Sequence, residues 1–395
     1  MDTHPEVLVL SAVRTAIGKY GGGLSSVPPC DLAAQVIRDA VARAGVDPAD
    51  VGHVVFGNVI HTEVRDMYLS RVAAVNAGIP VETPAFTVNR LCGSGLQAIV
   101  SAAQAIQLGD TEVAAAGGAE SMSRGQYWLP SLRWGQRMRD GVAVDAVVGA
   151  LTDPFDGCHM GVTAENVATD FHITRADQDA LAVESHRRAA AAAQAGYFDE
   201  QITPVQVRTK KGAVAVAADE HVRPGVTVDD LAKLRPAFAD GGTVTAGNAS
   251  GINDAAAAVV LADAAFASRR GLRPLGRLVA YSHAGVEPRV MGMGPVPAAR
   301  KVLDRAGIKL DEIDVFEVNE AFAAQALAVI RELGLPPERT NPNGSGVSLG
   351  HPIGATGAIL AVKALYELRR VGGRYALTTM CIGGGQGIAA IFERM

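Results

Sequence analysis

The chain repeats itself, and a repeat constrains a fold more than any single motif does. "VARAGVDPADVGHVVFGN" ends at Asn58 and "LDRAGIKLDEIDVFEVN" ends at Asn319; each reads as a helix closing on Ala-Gly, an acidic turn, then a strand of Val, Ile and Phe. Glycine to asparagine is 13 residues in the first copy (Gly45 to Asn58) and 12 in the second (Gly307 to Asn319). Further on, "LCGSGLQAIVSAAQAIQLGDTEVAAAGG" resembles "LGHPIGATGAILAVKALYELRRVGGRYALTTM": a glycine-studded turn, an alanine-rich helix, a polar break, a short strand. Cys92 and His351 occupy equivalent places, 34 and 32 residues beyond those asparagines. Two β/α copies are therefore expected, one over 1–120 plus about 251–272 and one over 273–395. The alternation of strand and helix patterns predicts parallel-rich sheets covered by helices, one sheet per half, with both helix starts directed to a shared centre.

Residues 121–250 break the pattern. "SMSRGQYWLPSLRWGQRMRDG" holds both tryptophans and several arginines, "TRADQDALAVESHRRAAAAAQAGYF" predicts a helix with Thr174 as its N-cap, and "RTKKGAVAVAADEHVRPG" reads as a polar loop. Long irregular insertions in compact domains are usually binding loops.

Composition narrows the function classes. A net charge of -5 gives no basic surplus of the kind phosphate backbones recruit, so a nucleic-acid partner is not expected. No window reaches the ~20 apolar residues of a membrane span, and the acidic start "MDTHPEVLVL" is unlike a secretory or transit leader. Cys30, Cys92, Cys158 and Cys381 lie far apart with no C-x-x-C pair, which predicts neither disulfides nor a metal site but a reduced, cytoplasmic chain with thiols free for chemistry.

Three motifs compete for the chemistry. "CGSGLQA" formally satisfies the G-x-G-x-x-A dinucleotide fingerprint, but the second copy replaces it with "GHPIGATG", so the glycines fit a shared turn better than a phosphate loop. "GVSLG" satisfies G-x-S-x-G around Ser348, yet the hydrolase order of serine, acid, histidine fails because only His351 follows. Cys92, otherwise a small buried hydrophobe, stands at a helix start, where backbone N–H groups and the helix dipole favour a thiolate and predict a lowered pKa. His351 stands before Pro352 at a second helix start. Cys381 precedes a glycine-rich turn, Gly383 to Gly385, whose N–H groups can be donated, and "IAAIFERM" after it reads as a hairpin return. Asn319 ends a strand in "NEAFA". All these residues sit at strand-to-helix or strand-to-turn corners, where α/β sites form.

"NRLCGSGLQAI", "NEAFA", "GHPIGATG" and "CIGGGQG", in this order, resemble the thiolase family of acyl-CoA acetyltransferases, and "VRTAIG", "CHMGVTAENVA" and "TAGNASGINDAAAAVV" extend the resemblance along the whole chain. Within the family it is most similar to bacterial biosynthetic β-ketothiolases of broad chain length that feed polyhydroxyalkanoate synthesis. The resemblance implies duplicated β/α halves packed in αβαβα layers with a large loop insertion. It implies reversible Claisen condensation and thiolysis, acyl-CoA + acetyl-CoA ⇌ 3-oxoacyl-CoA + CoA, by a ping-pong route. Cys92 is then the nucleophile, His351 its base, and Cys381 the base for the α-carbon. Asn319 with a water helps His351 form one oxyanion hole, while the N–H groups of Cys92 and Gly383 form the other. The same resemblance assigns coenzyme A contacts to Arg223, Ala246, Gly247, Ser250 and Phe322, with His159 and Met160 near the pantetheine and acyl end. It departs from short-chain members at Cys158 and Asp230. Coenzyme A is a substrate, no cofactor or metal is implied, and a homotetramer built from dimers is expected. A degradative 3-ketoacyl-CoA thiolase is the alternative. A decarboxylating ketosynthase would pair the cysteine with two histidines or a histidine and an asparagine, and a non-enzymatic lipid carrier would have lost the three reactive residues.

Overall fold

The computed structural model describes residues 5–210 and 212–395; the acidic start at residues 1–4 and Lys211 of the "RTKKG" stretch lie outside the described residues. The first copy supplies strands β1 (Val7–Arg14), β2 (His53–Gly57), β3 (Ala85–Val88), β4 (Val113–Ser121) and β5 (Asn253–Asp263). The second supplies β6 (Gly276–Gly285), β7 (Ile313–Val318), β8 (Tyr375–Ile382) and β9 (Gln386–Arg394).

Two expectations about the sheet are corrected. The strands form one continuous sheet in the order β7-β8-β9-β6-β1-β5-β4-β2-β3, because β1 and β6 join edge to edge through the pairs Leu8–Arg277 and Val9–Gly276. The sheet is mixed rather than parallel-rich: only β2–β3, β2–β4 and β7–β8 are parallel, while β5 and β9 run antiparallel to both neighbours. The reason is the return path, since β9 follows β8 through a tight glycine turn and a hairpin can only be antiparallel. The copy of β3 in the second half shrinks to one parallel bridge, Phe316–Thr340.

Helices complete five layers. α1 (Pro29–Ala44) and α2 (Leu69–Ala77) cover one face of the first half. α1 buries Leu32, Ala33, Val36, Ile37, Ala40, Val41 and Ala44 at helical spacing, starts on a proline in its first turn, and stops at Gly45 in the left-handed conformation, φ 68°. α3 (Ser94–Gln107) and α8 (Ile353–Val371) lie between the halves, so Leu96, Ile99, Ile359 and Leu365 meet Val55 and Ala114 on one side and Met380, Ile388 and Phe392 on the other. α4 (Met160–Asp170), α6 (Pro295–Ala306) and α7 (Ala323–Leu333) cover the outer face of the second half. Each large aliphatic side chain buried in these layers contributes about 1.5–3 kcal/mol. Both central helices are apolar almost all round because each is packed on every side. They cross backbone to backbone: a Cβ on Gly95 would lie 2.7 Å from Ala358 N, and one on Gly357 2.4 Å from Leu96 N. That contact, not a phosphate, explains the second glycine of "CGSG".

The repeat is exact at the strand ends that matter. Gly57 pairs with Gly118 across β2–β4, and Val318 pairs with Thr379 across β7–β8. Asn58 therefore matches Asn319, and Glu120 matches Cys381.

The chain leaves the sheet after Ser121 and returns at Asn253. α5 (Arg175–Gln194) starts at Thr174, whose hydroxyl accepts from Asp177 N in a capping box, as predicted. The stretch read as a polar loop is corrected: Val205–Thr209 and Gly212–Val216 form a two-stranded hairpin. No helix among the described residues is long and apolar enough to cross a membrane.

Candidate active site

The two helix starts carry the candidate nucleophile and base in matched places, Cys92 two residues before α3 and His351 two before α8. Leu91 holds φ at +43°, the left-handed region that a γ-branched residue rarely adopts. The turn is fixed by Asn89 Oδ1, which accepts from Leu91 N at 3.0 Å, and by Ser94 Oγ, which accepts from Arg90 N at 2.8 Å and donates to Leu91 O at 2.6 Å. Leu91 was not singled out from the sequence, where only a backbone angle could mark it.

Cys92 is half-buried, and burial pushes its thiol up to about 11, against two lowering contacts, the backbone N–H of Gly383 and its own N–H. The expectation of a lowered pKa is therefore corrected: desolvation outweighs the helix start in the free protein. His351 is buried and pushed down to about 4 by the same cause. Both shifts favour the uncharged forms, a thiol at Cys92 and a neutral imidazole at His351. Alkylation of Cys92 by iodoacetamide, followed by peptide mapping, should therefore accelerate about tenfold per pH unit from about pH 7 to 10 as the thiolate fraction grows. A rate already level near neutrality would mean a preformed thiolate–imidazolium pair.

His351 is held from three sides. Its N–H donates to Asn253 Oδ1 at 2.9 Å, Nδ1 lies 2.7 Å from Thr356 Oγ1, and Nε2 faces Asn319 Nδ2 at 3.5 Å. Asn319 Oδ1 is buried with no hydrogen-bond partner among the described residues. Cys381, at the end of β8, is buried, and its thiol is raised first by desolvation and then, whenever Cys92 is ionised, by that neighbouring thiolate. Gly384 and Gly385 follow at φ +80° and +83°, and a Cβ on Gly385 would stand 2.3 Å from Val286 O, so this turn admits only glycine there. Glu120, matched to Cys381, accepts from Asn58 Nδ2, Val59 N, Ile60 N and Gly354 N, bracing the first half against the start of α8.

Of the remaining candidates, Met160 borders the glycine turn, and His159, Phe322 and Ser250 are linked through neighbouring contacts. A Cβ on Gly383 would meet Met160 Cε at 3.0 Å and Leu91 Cδ1 at 3.1 Å. His159 caps α4 by accepting from Gly161 N and stacks on Phe238 with ring centroids 4.7 Å apart; burial lowers its pKa. Phe238 meets Phe322 edge-on at 6.0 Å, Phe322 bridges Ala249, and Ser250 N donates to Ala321 O. Gly247 packs on Leu231 and Leu234, next to Ala246. Arg223 N donates to His186 Nδ1 on α5, and its loop is tied to β1 by the buried bidentate pair Arg14–Asp219, which gives "VRTAIG" its use. Phe238, which joins His159 to Phe322, carries no sequence signal. Asp230 is spent on a capping box with Thr227, and Cys158 is partly exposed beside His159. Ser348 lies buried in the short helix Gly346–Leu349, 2.8 Å from Ser185 Oγ and with no histidine on it, as the failed hydrolase order predicted. No group of three or more His, Cys, Asp or Glu side chains placed to hold a metal ion occurs among the described residues.

Comparison with known proteins gives the family. The thiolase N-terminal domain model matches residues 7–265 and the thiolase C-terminal domain model residues 272–394. A β-ketothiolase of Cupriavidus necator is 66% identical over 391 residues, covering 99% of both chains. The crystal structure of the Bacillus anthracis acetyl-CoA acetyltransferase superposes with a TM-score of 0.98 at 46% identity, covering 100% of both chains. Human mitochondrial 3-ketoacyl-CoA thiolase in complex with CoA gives 0.96 at 42% identity, covering 99% of this chain and 98% of its own. With both halves matched end to end and the reactive corners in register, the chain belongs to the thiolase family.

Proposed function

We propose that the protein is a β-ketothiolase acting on short- to medium-chain 3-oxoacyl-CoA, with coenzyme A as substrate and no cofactor. The observation that carries the reading is the matched pair of helix starts, Cys92 before α3 and His351 before α8, with Asn319 on the imidazole. Acyl transfer between thiols needs a nucleophile that also leaves readily, which a cysteine thioester does and a serine ester does poorly. Cys92 attacks the thioester carbonyl while its proton passes to His351 Nε2; the C–S bond to coenzyme A breaks and the proton returns to the departing sulfur. Because thiol and imidazole both rest neutral, proton transfer accompanies attack. The negative oxygen of the tetrahedral intermediate is received by the Cys92 and Gly383 N–H groups, each such donor contributing about 3 kcal/mol.

In the second half-reaction Cys381 acts as its thiolate and removes the α-proton of acetyl-CoA, and the enolate oxygen is held by the Nε2–H of His351 with a water carried by Asn319. The carbanion attacks acyl-Cys92, a C–C bond forms, the Cys92 thiolate leaves, and it takes the proton that Cys381 carries, so that Cys381 is again a thiolate. Thiolysis is the reverse. Arg223, Ala246, Gly247, Ser250 and Phe322 hold coenzyme A, with His159 and Met160 beside its pantetheine and acyl end. In this proposal the insertion 121–250 is the binding and assembly domain, flanked by halves 1–120 plus 251–272 and 273–395. Exposed Trp128, Leu132, Trp134 and Met138 supply an apolar face for a homotetramer, and four unpaired cysteines suit a cytoplasmic enzyme. The test is incubation with acetyl-CoA, acid quench and peptide mapping: an acetyl group on Cys92 is expected, and its absence there would overturn the reading.

A further inference from the structure

We propose that Asn253 is a positioning residue that holds the backbone of His351 in place, so that the first half of the chain aims the base that the second half supplies. The inference rests on His351 being the base of the proposed reaction.

The amide of Asn253 has one workable orientation. Its Oδ1 accepts from His351 N at 2.9 Å, and its Nδ2 donates to Gly18 O at 3.0 Å. A backbone N–H only donates and a carbonyl oxygen only accepts, so the flipped amide would set N–H against N–H and oxygen against oxygen. The side chain is fully buried and has no solvent alternative. Its own anchors are sheet backbone: Asn253 opens β5, and Gly18 belongs to the two-residue strand Gly18–Lys19 paired antiparallel with it. His351, by contrast, lies between helices and follows Gly350 at φ +109°. A Cβ on Gly350 would stand 2.5 Å from Asn253 Cγ, so the turn lies flat against the amide and only glycine fits there. The bond to Asn253 is what fixes the plane of the Gly350–His351 peptide, and the ring moves with that peptide.

Because the bond is made to backbone, it does not depend on where the ring carries its protons. The same support serves while Nε2 takes the Cys92 proton and while Nε2–H holds the enolate oxygen. Misplacing a catalytic group by about 1 Å costs on the order of 10²-fold in rate.

The test is thiolysis of acetoacetyl-CoA by full-length Asn253→Ala and Asn253→Asp from about pH 6 to 9, each rate taken as a ratio to wild type at the same pH, with thermal unfolding as the control for the fold. Asn253→Ala loses both bonds and should lose about 10–100-fold in kcat at every pH, with KM for the acyl-CoA within about twofold. Asn253→Asp separates positioning from packing. A protonated aspartic acid repeats the amide, with its carbonyl oxygen on His351 N and its O–H on Gly18 O, whereas the ionised form sets an oxygen against Gly18 O. Burial raises such a carboxyl, so the ratio should approach wild type at the acid end and fall toward that of Asn253→Ala as pH rises through its pKa. The titratable groups around it are His351, His221 against Gly251, Glu120 on Gly354 N, and Lys19, Glu220 and Asp254 along the strand pair; all are shared with wild type and drop out of the ratio. In wild-type protein labelled with 15N-histidine, the His351 amide should resist hydrogen exchange. An Asn253→Ala enzyme with kcat within about threefold of wild type, an Asn253→Asp ratio as low at the acid end as at the alkaline end, or a freely exchanging His351 amide would overturn the proposal. Failure of the underlying reading looks different: His351→Ala would then acetylate Cys92 at the wild-type rate.

Discussion

Cys92→Ser should lower thiolysis by about four to six orders of magnitude, the loss expected when the nucleophile of a concerted site is removed. Serine is nearly isosteric, so the turn built on Leu91 and Ser94 and the packing of α3 against α8 are kept, and the effect is chemical. The hydroxyl is far harder to ionise than a thiol, and an ester that does form is a poor acyl donor for the next thiol. Steady-state thiolysis of acetoacetyl-CoA measures the loss, with thermal unfolding as the control that the fold is intact. Activity within tenfold of wild type would remove Cys92 from the reaction path.

Cys381→Ala should separate the two half-reactions. Acetylation of Cys92 should proceed within about tenfold of the wild-type rate, while condensation falls by about 10²–10⁴-fold, the usual contribution of a positioned base. The separation follows from position: Cys381 ends β8, while the nucleophile, its base and its two N–H donors are supplied by other residues. Single-turnover acetylation followed by mass mapping reads the first step, and acetoacetyl-CoA formation reads the second. Equal loss of both would show that the second thiol serves the first step.

Much of this site was legible before any coordinates. The repeat placed Cys92 and His351 at equivalent corners, and local chemistry marked them: glycines that bare a helix start, a proline before a helix, a strand ending in asparagine. What escaped depended on distant partners. Nothing near β5 says that it returns after the insertion to run antiparallel between β1 and β4, or that β1 and β6 join through only two residue pairs. A helix start is visible in sequence, whereas the burial that raises the Cys92 pKa is set by everything packed around the thiol. Phe238 joins His159 to Phe322 only because the insertion folds it between them.

The matched strand ends bear on stoichiometry. A doubled fold offers two corners of the same shape, one at Asn319 and Cys381 and its mirror at Asn58 and Glu120. In the mirror corner the carboxylate occupies the space, and its four N–H partners stopper it. Internal symmetry has thus produced one workplace and one keystone, and a chain with two similar halves should carry a single acyl group when saturated with acyl donor.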